Sequence, residues 1–405
     1  MSQTSEIAAV DTAAPVMVQS PVARLLANRS MRDSTLLLVL AAIWIFFYFA
    51  TNGTFLTQRN LILLALQTAI VGLAAISAVM LIVTRNFDLS VGSAVALVGV
   101  VVAVLTVKMQ VNAFVAVLVC LVVGVLMGVW QGWWVTRMKV SSFIVTLAGM
   151  LYFRGISMIV TNGATVAPLP ASLKQVATGF LPPIWSILLI SLAFCLFAAF
   201  RAFELKRGAE LGTVGNFKAA LTRALLPSLA AAVAAIWLAS SKGVPYLIVL
   251  VAICAIAADI LMRRTRFGVQ LYAIGGNPEA ARLSGIDVDR VIFINFVIAG
   301  LAYGITGVAL TARVSGAIAG SAGLFLELDA IAAAIIGGTS LSGGRGRVFG
   351  ALLGALLMGS LNNGMSLMNV PTFYQDTARG AVLLLAVAID QFSRRRIATS
   401  RARIR

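Results

Sequence analysis

The sequence has no histidine, only three cysteines and only 14 acidic residues among its 405 positions. Without histidine it lacks the commonest general base and the commonest metal ligand. Cys120, Cys195 and Cys254 lie inside apolar stretches, have no metal-ligand spacing and cannot all pair. We therefore interpret them as small buried hydrophobic residues, which excludes a disulfide scaffold.

Charged residues are also scarce, at 11% of the chain, whereas soluble globular domains have about 25%. The sequence contains neither a G-x-x-x-x-G-K-[ST] phosphate-binding loop nor a G-x-S-x-G nucleophile elbow. This chain therefore cannot hydrolyse ATP through a P-loop, and we predict no enzyme activity, no cofactor and no metal site.

Long apolar runs make up most of the sequence, which is 60% hydrophobic. Because a bilayer-crossing helix uses about 20 apolar residues, the runs predict an all-α polytopic membrane protein with about 10–12 transmembrane helices. The run 330–341 is too short to span alone, which favours a broken or re-entrant segment. The runs are 34–51, 61–84, 89–107, 112–136, 142–161, 184–200, 224–241, 243–262, 291–312, 330–341, 348–368 and 375–392.

The 31 lysines and arginines give the chain a net charge of +17. If the N-terminus is cytoplasmic and the runs alternate across the bilayer, 24 of these cations lie inside and 5 outside. This distribution follows the positive-inside rule, so we predict that both termini are cytoplasmic. The charge is then an orientation signal, and no nucleic-acid partner is expected.

The interruptions between runs are too short for a catalytic soluble domain. We predict a cytoplasmic N-terminal tail over 1–33, one membrane domain over 34–392 and a basic cytoplasmic tail over 393–405. The tail at 1–33 has no basic segment leading into a short apolar core, so we expect no removable signal peptide. Within the membrane domain, 201–242 joins a basic stretch to one apolar run, and 263–290 is a cytoplasmic loop.

The segment 274–289, with the sequence IGGNPEAARLSGIDVD, has the signals of a short helix. Asn277 is a good N-cap, Pro278 suits the first turn, and Gly285 is a good terminator. We therefore predict a two-turn helix over about 278–284. Such a helix could lie on the membrane interface or serve as a contact for a partner protein.

A polar stretch interrupts the apolar runs at 85–93, with the sequence RNFDLSVGS. Asp88 is a functional candidate because ionisable groups within membrane segments are costly, but it could instead cap a helix that begins near Leu89. The cap is the favoured interpretation, and it does not exclude a role in transport. The similar tetrapeptides 89–92 (LSVG) and 341–344 (LSGG) each join two apolar runs, and chance is the simpler explanation for that likeness.

Polar side chains inside the runs are candidates for a translocation path, although each could equally bond to a neighbouring helix. The candidates are Gln67, Asp88, Ser90, Asn162, Asn362 and Asn363. Arg154, Asp259, Asp376 and Arg379 are further charges in or near spans, and Asp376 and Arg379 are spaced to pair on one helix face. An ion-coupled carrier using Asp88, Asp259 and Asp376 is therefore an alternative function.

Glycines recur at four-residue spacing, which places them on one face of a helix where two backbones can approach closely. Packing within the subunit or across a dimer is the expected role. The ladders are Gly124, Gly128 and Gly132, and Gly346, Gly350 and Gly354.

Four ordered stretches resemble the bacterial monosaccharide ABC importer permeases of the ribose/xylose/arabinose/galactose type. They are RNFDLSVGS (85–93), SFIVTLAGMLYFRGISMIVTNG (142–163), GGNPEAARLSGI (275–286) and IIGGTSLSGGRGRVFGALLGALLMGSLNNG (335–364). The likeness covers most of 60–200 and 243–392. In place of the family's usual glycine pair before IDLSVGS, this chain has Arg85, Asn86 and Phe87. The added stretch 201–242 looks most like the xylose-type branch.

The resemblance implies a type II-like ABC importer permease in the bacterial inner membrane. It implies a second copy of the permease, cytoplasmic ATPase subunits that bind ATP and magnesium, a periplasmic sugar-binding protein and membrane lipid as partners. It also implies alternating access driven by the ATPases, with D-xylose as the expected cargo. The residues that match the family's ATPase-docking loop are Gly276, Asn277, Pro278, Glu279, Ala280, Ala281, Arg282, Leu283, Ser284 and Gly285.

Overall fold

The computed structural model describes residues 29–210 and 217–402. The predicted features at 1–28, 211–216 and 403–405 lie outside the described residues. Those residues belong to the N-terminal tail, the added stretch and the basic C-terminal tail, respectively. In the described ranges the regular structure is helical, and extended backbone forms only the isolated bridges Val166–Ala317 and Phe180–Pro245.

The described helices follow one another with short connections, apart from the longer segments 84–90, 162–170, 315–325 and 337–347. Helix α3 continues into one π-helical turn, Val104–Lys108. The helices are α1 Arg29–Ala50, α2 Gln58–Val83, α3 Val91–Ala103, α4 Ala113–Thr136, α5 Ser142–Thr161, α6 Ala171–Thr178, α7 Pro183–Glu210, α8 Phe217–Lys242, α9 Tyr246–Arg264, α10 Arg266–Gly276, α11 Pro278–Leu283, α12 Val288–Val314, α13 Leu326–Ile336, α14 Val348–Leu367 and α15 Thr372–Ala402.

Among the described residues, eight helices are long and apolar enough to cross a bilayer: α2, α3 with its π turn, α4, α5, α7, α9, α12 and α14. The other predicted runs lie on α1, α8, α13 and α15. Helix α13, Leu326–Ile336, has only 11 residues and ends before the run 330–341 does, so the prediction that this run does not span alone is confirmed. The all-α polytopic fold is therefore confirmed, and the chain is a multi-pass membrane protein.

Helix α2 is the centre of the bundle. It packs against α9, α12, α13 and α14. In its most apolar 18-residue stretch, 89% of the residues are buried inside the protein. Helices α3 and α12 form the next layer around it. Because α2 is apolar on all sides, it fits an interior position, where every face of the helix meets other helices.

Helices α7 and α8 lie at the periphery and pack chiefly against each other. In the most apolar 18-residue stretch of α7 only 6% of the residues are buried, so the surface of this helix suits contact with lipid. This pair contains most of the added stretch 201–242. Cys195 on α7 is exposed, whereas Cys120 is buried and Cys254 is half-buried. The prediction that all three cysteines are buried in the protein is wrong for Cys195, because α7 has so few helices around it.

The glycine ladders join helices within the subunit. A Cβ added at Gly124 or Gly128 on α4 would overlap the carbonyl oxygens of Gly300 or Phe296 on α12. Added at Gly354 on α14, it would overlap the Ala333 carbonyl oxygen of α13. A Cβ at Gly346 or Gly350 would also overlap neighbouring atoms, whereas one at Gly132 would make a tight contact of 3.1 Å with Phe293. The ladders therefore let helices pack backbone to backbone, as small residues do in membrane proteins.

Candidate functional site

Asp88 is the centre of a buried hydrogen-bond network, which we call the Asp88 cluster, formed by Asp88, Ser90, Gln131 and Tyr303. Asp88 Oδ1 accepts hydrogen bonds from the backbone N and Oγ of Ser90, at 2.8 and 2.7 Å. The Tyr303 hydroxyl lies 2.5 Å from Asp88 Oδ2 and 3.1 Å from Gln131 Oε1. Gln131 Nε2 donates to Ser90 Oγ. All four residues are buried, so the cluster is a closed and well-bonded unit.

The position of Asp88 corrects one prediction. Helix α3 begins at Val91, not near Leu89, and its N-cap is Ser90, which makes no side-chain cap bond. Asp88 instead holds the turn before the helix by accepting the Ser90 backbone N–H. The Tyr303 hydroxyl donates to the other carboxylate oxygen and so connects Asp88 to α12.

The segment 315–325 between α12 and α13 lies against the start of α3. Arg154 on α5 holds it, because one guanidinium nitrogen donates to the carbonyl oxygens of Ala319 and Ala322, at 3.0 and 2.7 Å. A Cβ at Gly92 would overlap Gly323 O and Glu327 Oε2. Only glycine therefore permits this close approach between α3 and the segment.

The predicted path residues Gln67 and Asn363 join α2 to α14. Asn60 and Asn363 exchange two amide hydrogen bonds, of 2.8 and 3.1 Å, and Asn363 Nδ2 lies 3.5 Å from Gln67 Oε1. Since Asn60 and Asn363 are buried, this group resembles an interhelical polar contact more than an open path.

Asn362 belongs to a different group, which we call the Asp329 cluster, formed by Asp329, Asn362, Asp376 and Arg379. Arg379 Nε donates to Asn362 Oδ1 at 2.8 Å, and Arg379 Nη1 lies 3.2 Å from Asp376 Oδ1. The predicted pairing of Asp376 with Arg379 is thus confirmed. Asp329 Oδ1 lies 4.0 Å from Arg379 Nε and makes no hydrogen bond. A cavity of about 90 Å³ borders this cluster.

Asn162 takes part in none of the described clusters. It ends α5 in a left-handed conformation, with φ of 51°, and is exposed. The six predicted path residues therefore fall into separate places, with Asp88 and Ser90 in one cluster, Gln67 and Asn363 in a second group and Asn362 in a third.

The predicted helix in the loop 263–290 is confirmed as α11, Pro278–Leu283. The Asn277 side chain accepts hydrogen bonds from the backbone N–H groups of Glu279 and Ala280, at 3.0 and 3.1 Å. Gly285 has a φ of +82°, a conformation that favours glycine after a helix. Leu283 is 90% exposed at the end of α11, which leaves a large apolar side chain available for contact.

The non-helical segments 84–90 and 337–347 both contact the residues just before α11. Arg85 donates from Nε to Gly275 O and from Nη2 to Gly276 O, at 2.8 and 2.7 Å. Gly344 N donates to Val83 O at 2.9 Å, and a Cβ at Gly275 would overlap that same oxygen. The segments 84–90 and 337–347 are therefore connected to α11 through this junction.

Four functional candidates are missing from the sequence-based predictions. Gln131 and Tyr303 complete the Asp88 cluster, Asp329 borders the cavity, and Glu327 lies beside Gly92. All four are polar residues in or next to apolar runs, a signal that was available in the sequence. The strongest such signal was the pair Glu327 and Asp329, which lies just before the short apolar run 330–341.

Comparison with known proteins identifies the family. Residues 60–387 match the family model described as "Branched-chain amino acid transport system / permease component". The chain is 42% identical to the xylose transport system permease protein XylH of Escherichia coli (strain K12), over 92% of this chain and 94% of that protein. It is 40% identical to XylH of Haemophilus influenzae (strain ATCC 51907 / DSM 11121 / KW20 / Rd), over 89% of this chain and 96% of that protein.

A more distant relative is the ribose import permease protein RbsC of Escherichia coli (strain K12). It is 35% identical over 361 residues, which cover 89% of this chain and 94% of that protein. No solved structure matches the chain. Because the family model covers most of the sequence and the relatives align along nearly their whole length, the chain belongs to this family of transport-system permease components.

Proposed function

We propose that this chain is the membrane-spanning subunit of a binding-protein-dependent ABC importer that moves D-xylose into the cytoplasm. The observation that carries the proposal is the higher identity to two xylose permeases, at 42% and 40%, than to the ribose permease, at 35%, over similar lengths. The added stretch 201–242, which prompted the resemblance to the xylose branch, supports the same choice.

In this proposal, two copies of the chain form the pore in the bacterial inner membrane, surrounded by lipid, with both termini in the cytoplasm. A periplasmic binding protein delivers the sugar, and separate ATPase subunits bind ATP and magnesium. ATP-driven closure of the ATPases shifts the permease between outward-open and inward-open states. This chain then contributes the path and the contact surface for the ATPases but no reaction chemistry.

Helix α11 is the proposed coupling helix. Its cap by Asn277 makes it rigid, and Leu283 offers an apolar anchor for a pocket on the ATPase. Arg85 and Gly344 connect the residues before α11 to both interrupted segments. A displacement of α11 would therefore move the ends of α2 and α14 together, which is the motion that alternating access requires.

The three carboxylates on which an ion-coupled carrier was predicted to depend, Asp88, Asp259 and Asp376, do not favour that function. Asp259 lies 2.8 Å from Arg263, and Asp376 lies 3.2 Å from Arg379. Asp88 is engaged by Ser90 and Tyr303. A proton or sodium relay needs carboxylates that can gain and lose such a partner during the cycle.

The test is uptake by the reconstituted complex. Proteoliposomes with the chain, its ATPase and its binding protein should accumulate labelled xylose in an ATP-dependent way, and faster than ribose. The control is the chain alone with an imposed proton or sodium gradient. Uptake by the chain alone that disappears when the gradient collapses would contradict the proposal and establish the carrier.

The coupling helix is tested by Leu283→Glu and Glu279→Arg. Each variant should lose co-purification of the ATPase and most xylose uptake, because a charge replaces the apolar anchor or reverses the charge beside the cap. Met109→Glu is the matched control, since Met109 is an exposed apolar residue on the connection after the π turn, away from α11. ATPase binding that survives both α11 substitutions would contradict the coupling role.

A further inference from the structure

We infer that the segment 315–325 lines a water-filled path through the bilayer and forms part of the wall along which the transported solute moves. The inference rests on the proposed import function and adds to it the part of the chain that faces the path. Three observations carry it: the segment is non-helical at membrane depth, one side of it is exposed, and a charged guanidinium holds it there.

The segment reaches the middle of the membrane domain. Gly323 lies against Gly92 in the first turn of α3, because a Cβ at either glycine would overlap the carbonyl oxygen of the other. Helix α3 directly follows the Asp88 cluster, in which Tyr303 belongs to α12. Tyr303 is 12 residues after Val291 and 10 before Arg313, so it lies about 18 and about 15 Å from the two ends of the apolar part of α12. Gly323 is therefore near mid-depth in a hydrocarbon core about 30 Å thick.

The segment enters the membrane domain from one surface and turns back toward the middle. Its first residue, Ser315, follows the end of α12 in a left-handed conformation with a φ of 60°. Ala317 then exchanges two backbone hydrogen bonds of 3.0 Å with Val166, in the connection after α5. The segment thus runs from the ends of α5 and α12 down to Gly323, where the short helix α13 begins three residues later.

One side of the segment is exposed, although the segment lies at membrane depth. Ile318 is 45% and Leu324 54% exposed, and Gly320 and Ser321 between them are exposed, whereas Ala319 is 1% exposed. Among the described residues, no backbone carbonyl accepts a hydrogen bond from the Gly320 N–H. Non-helical backbone cannot face hydrocarbon without losing its hydrogen bonds, so at this depth it is buried in protein or lines a water-filled cavity. The exposed side therefore does not face lipid.

Arg154 indicates independently that water is present beside the segment. It is the thirteenth of the 20 residues of α5, and its Nη1 donates to the carbonyl oxygens of Ala319 and Ala322. Charged side chains inside a membrane domain face the protein interior or a water-filled cavity, because the charge is costly in hydrocarbon. Since Arg154 is only half-buried, its exposed part needs water, and that water lies where the guanidinium contacts the segment.

The exposed side offers hydrogen bonds but no pocket. Residues 320–323 read GSAG, so the Ser321 hydroxyl and backbone groups are the polar atoms at this surface. A neutral hydroxylated solute can exchange hydrogen bonds to water for bonds to such groups and release them again. Passage requires contacts of this weak kind, because a tightly held solute would not leave.

The test is cysteine labelling of the full-length chain in native membrane vesicles opened on both sides, with Cys195 and Cys254 replaced by serine. A charged, membrane-impermeant methanethiosulfonate reagent should modify Ser321→Cys, because a thiol in water forms the reactive thiolate. Gly320→Cys should react likewise, since an added Cβ there meets no atom closer than 3.8 Å. The neighbouring Ala319→Cys, at a buried position, is the matched control and should react at least about tenfold more slowly.

A native thiol provides the control for contact with lipid. Cys195 is exposed on α7, so in a variant that retains it and has Cys254 replaced by serine the charged reagent should leave it unmodified. After denaturation in detergent, Cys195 and Ser321→Cys should react equally. If Ser321→Cys in the membrane reacts no faster than Ala319→Cys or Cys195, the segment faces lipid or a second copy, and the inference is overturned.

A second measurement asks whether the water-filled space is the path itself. Complete labelling of Ser321→Cys should lower xylose uptake by the reconstituted importer at least about tenfold, because the added group narrows the path. Labelled Met109→Cys, at an exposed position after the π turn, is the control and should stay within about twofold. Full uptake after labelling at Ser321 would overturn the inference. Failure of the unlabelled wild type to import xylose would instead contradict the proposed function, and the two are distinguishable because labelling requires no sugar.

Discussion

The Asp88 cluster and the Asp329 cluster both place charged and polar groups inside a membrane protein, but they satisfy them differently. In the Asp88 cluster each carboxylate oxygen has a partner, and α3, α4 and α12 are tied together. In the Asp329 cluster one carboxylate oxygen has no hydrogen bond and a cavity lies beside it. A closed cluster stabilises the fold, whereas a buried acceptor without a hydrogen bond contributes little to stability. Thermal unfolding in detergent distinguishes the two clusters.

The largest expected effect is from Gly92→Ala, at the contact that supports the Asp88 cluster. The new methyl group would overlap Gly323 O and Glu327 Oε2, so α3 and the segment 315–325 must separate, at a cost of about 3 kcal/mol. Gly155→Ala is the matched control, because a Cβ there meets no atom within 4 Å. Equal unfolding midpoints for the two variants would contradict the close contact.

Tyr303→Phe should lower the free energy of unfolding by about 2 kcal/mol, because it leaves Asp88 Oδ2 without its donor in a buried position. Tyr152→Phe removes the same hydroxyl from an exposed ring on α5 and should change stability little. If both variants unfold at the same temperature, the hydrogen bond from Tyr303 to Asp88 does not stabilise the fold as predicted.

Arg154→Gln should cost about 1–2 kcal/mol, because two carbonyl oxygens of the segment 315–325 lose a charged donor. Limited proteolysis should show faster cleavage within that segment. Arg59→Gln, at an exposed position at the start of α2, is the control and should leave both readouts unchanged.

Asp329→Asn should change stability least, by at most about 0.5 kcal/mol, because Oδ1 makes no hydrogen bond and the variant loses only a long ion pair of 4.0 Å with Arg379. The contrast with Tyr303→Phe is the sharpest form of the comparison. Tyr303→Phe should lower the unfolding midpoint, and Asp329→Asn should leave it nearly unchanged. A large loss of stability in Asp329→Asn would show that the Asp329 carboxylate stabilises the fold as Asp88 does.

Features that depend on neighbouring residues were predictable from the sequence. The α11 helix follows from Asn277, Pro278 and Gly285, which act within eight residues of one another. The short length of α13 and the Asp376–Arg379 pair are local in the same way. Apolar runs of helical length likewise determine most of the spans, since a bilayer sets the length required.

Contacts between distant parts of the chain were not predictable. Tyr303 and Asp88 are 215 residues apart, so neither residue type nor spacing indicates their bond. The same holds for the separation of Asn362 from Asn363, which point to different partners although they are adjacent. Glu327 and Asp329 are a different case, because their position beside an apolar run made them recognisable as candidates.

The backbone contact between α4 and α12 has a mechanical consequence. Where Gly124 and Gly128 meet Gly300, no side chain lies between the helices to change rotamer and absorb a displacement. The two helices therefore behave as one lever during a transport cycle. Bending would then fall on the non-helical connections between helices, among them the segments 84–90, 162–170, 315–325 and 337–347.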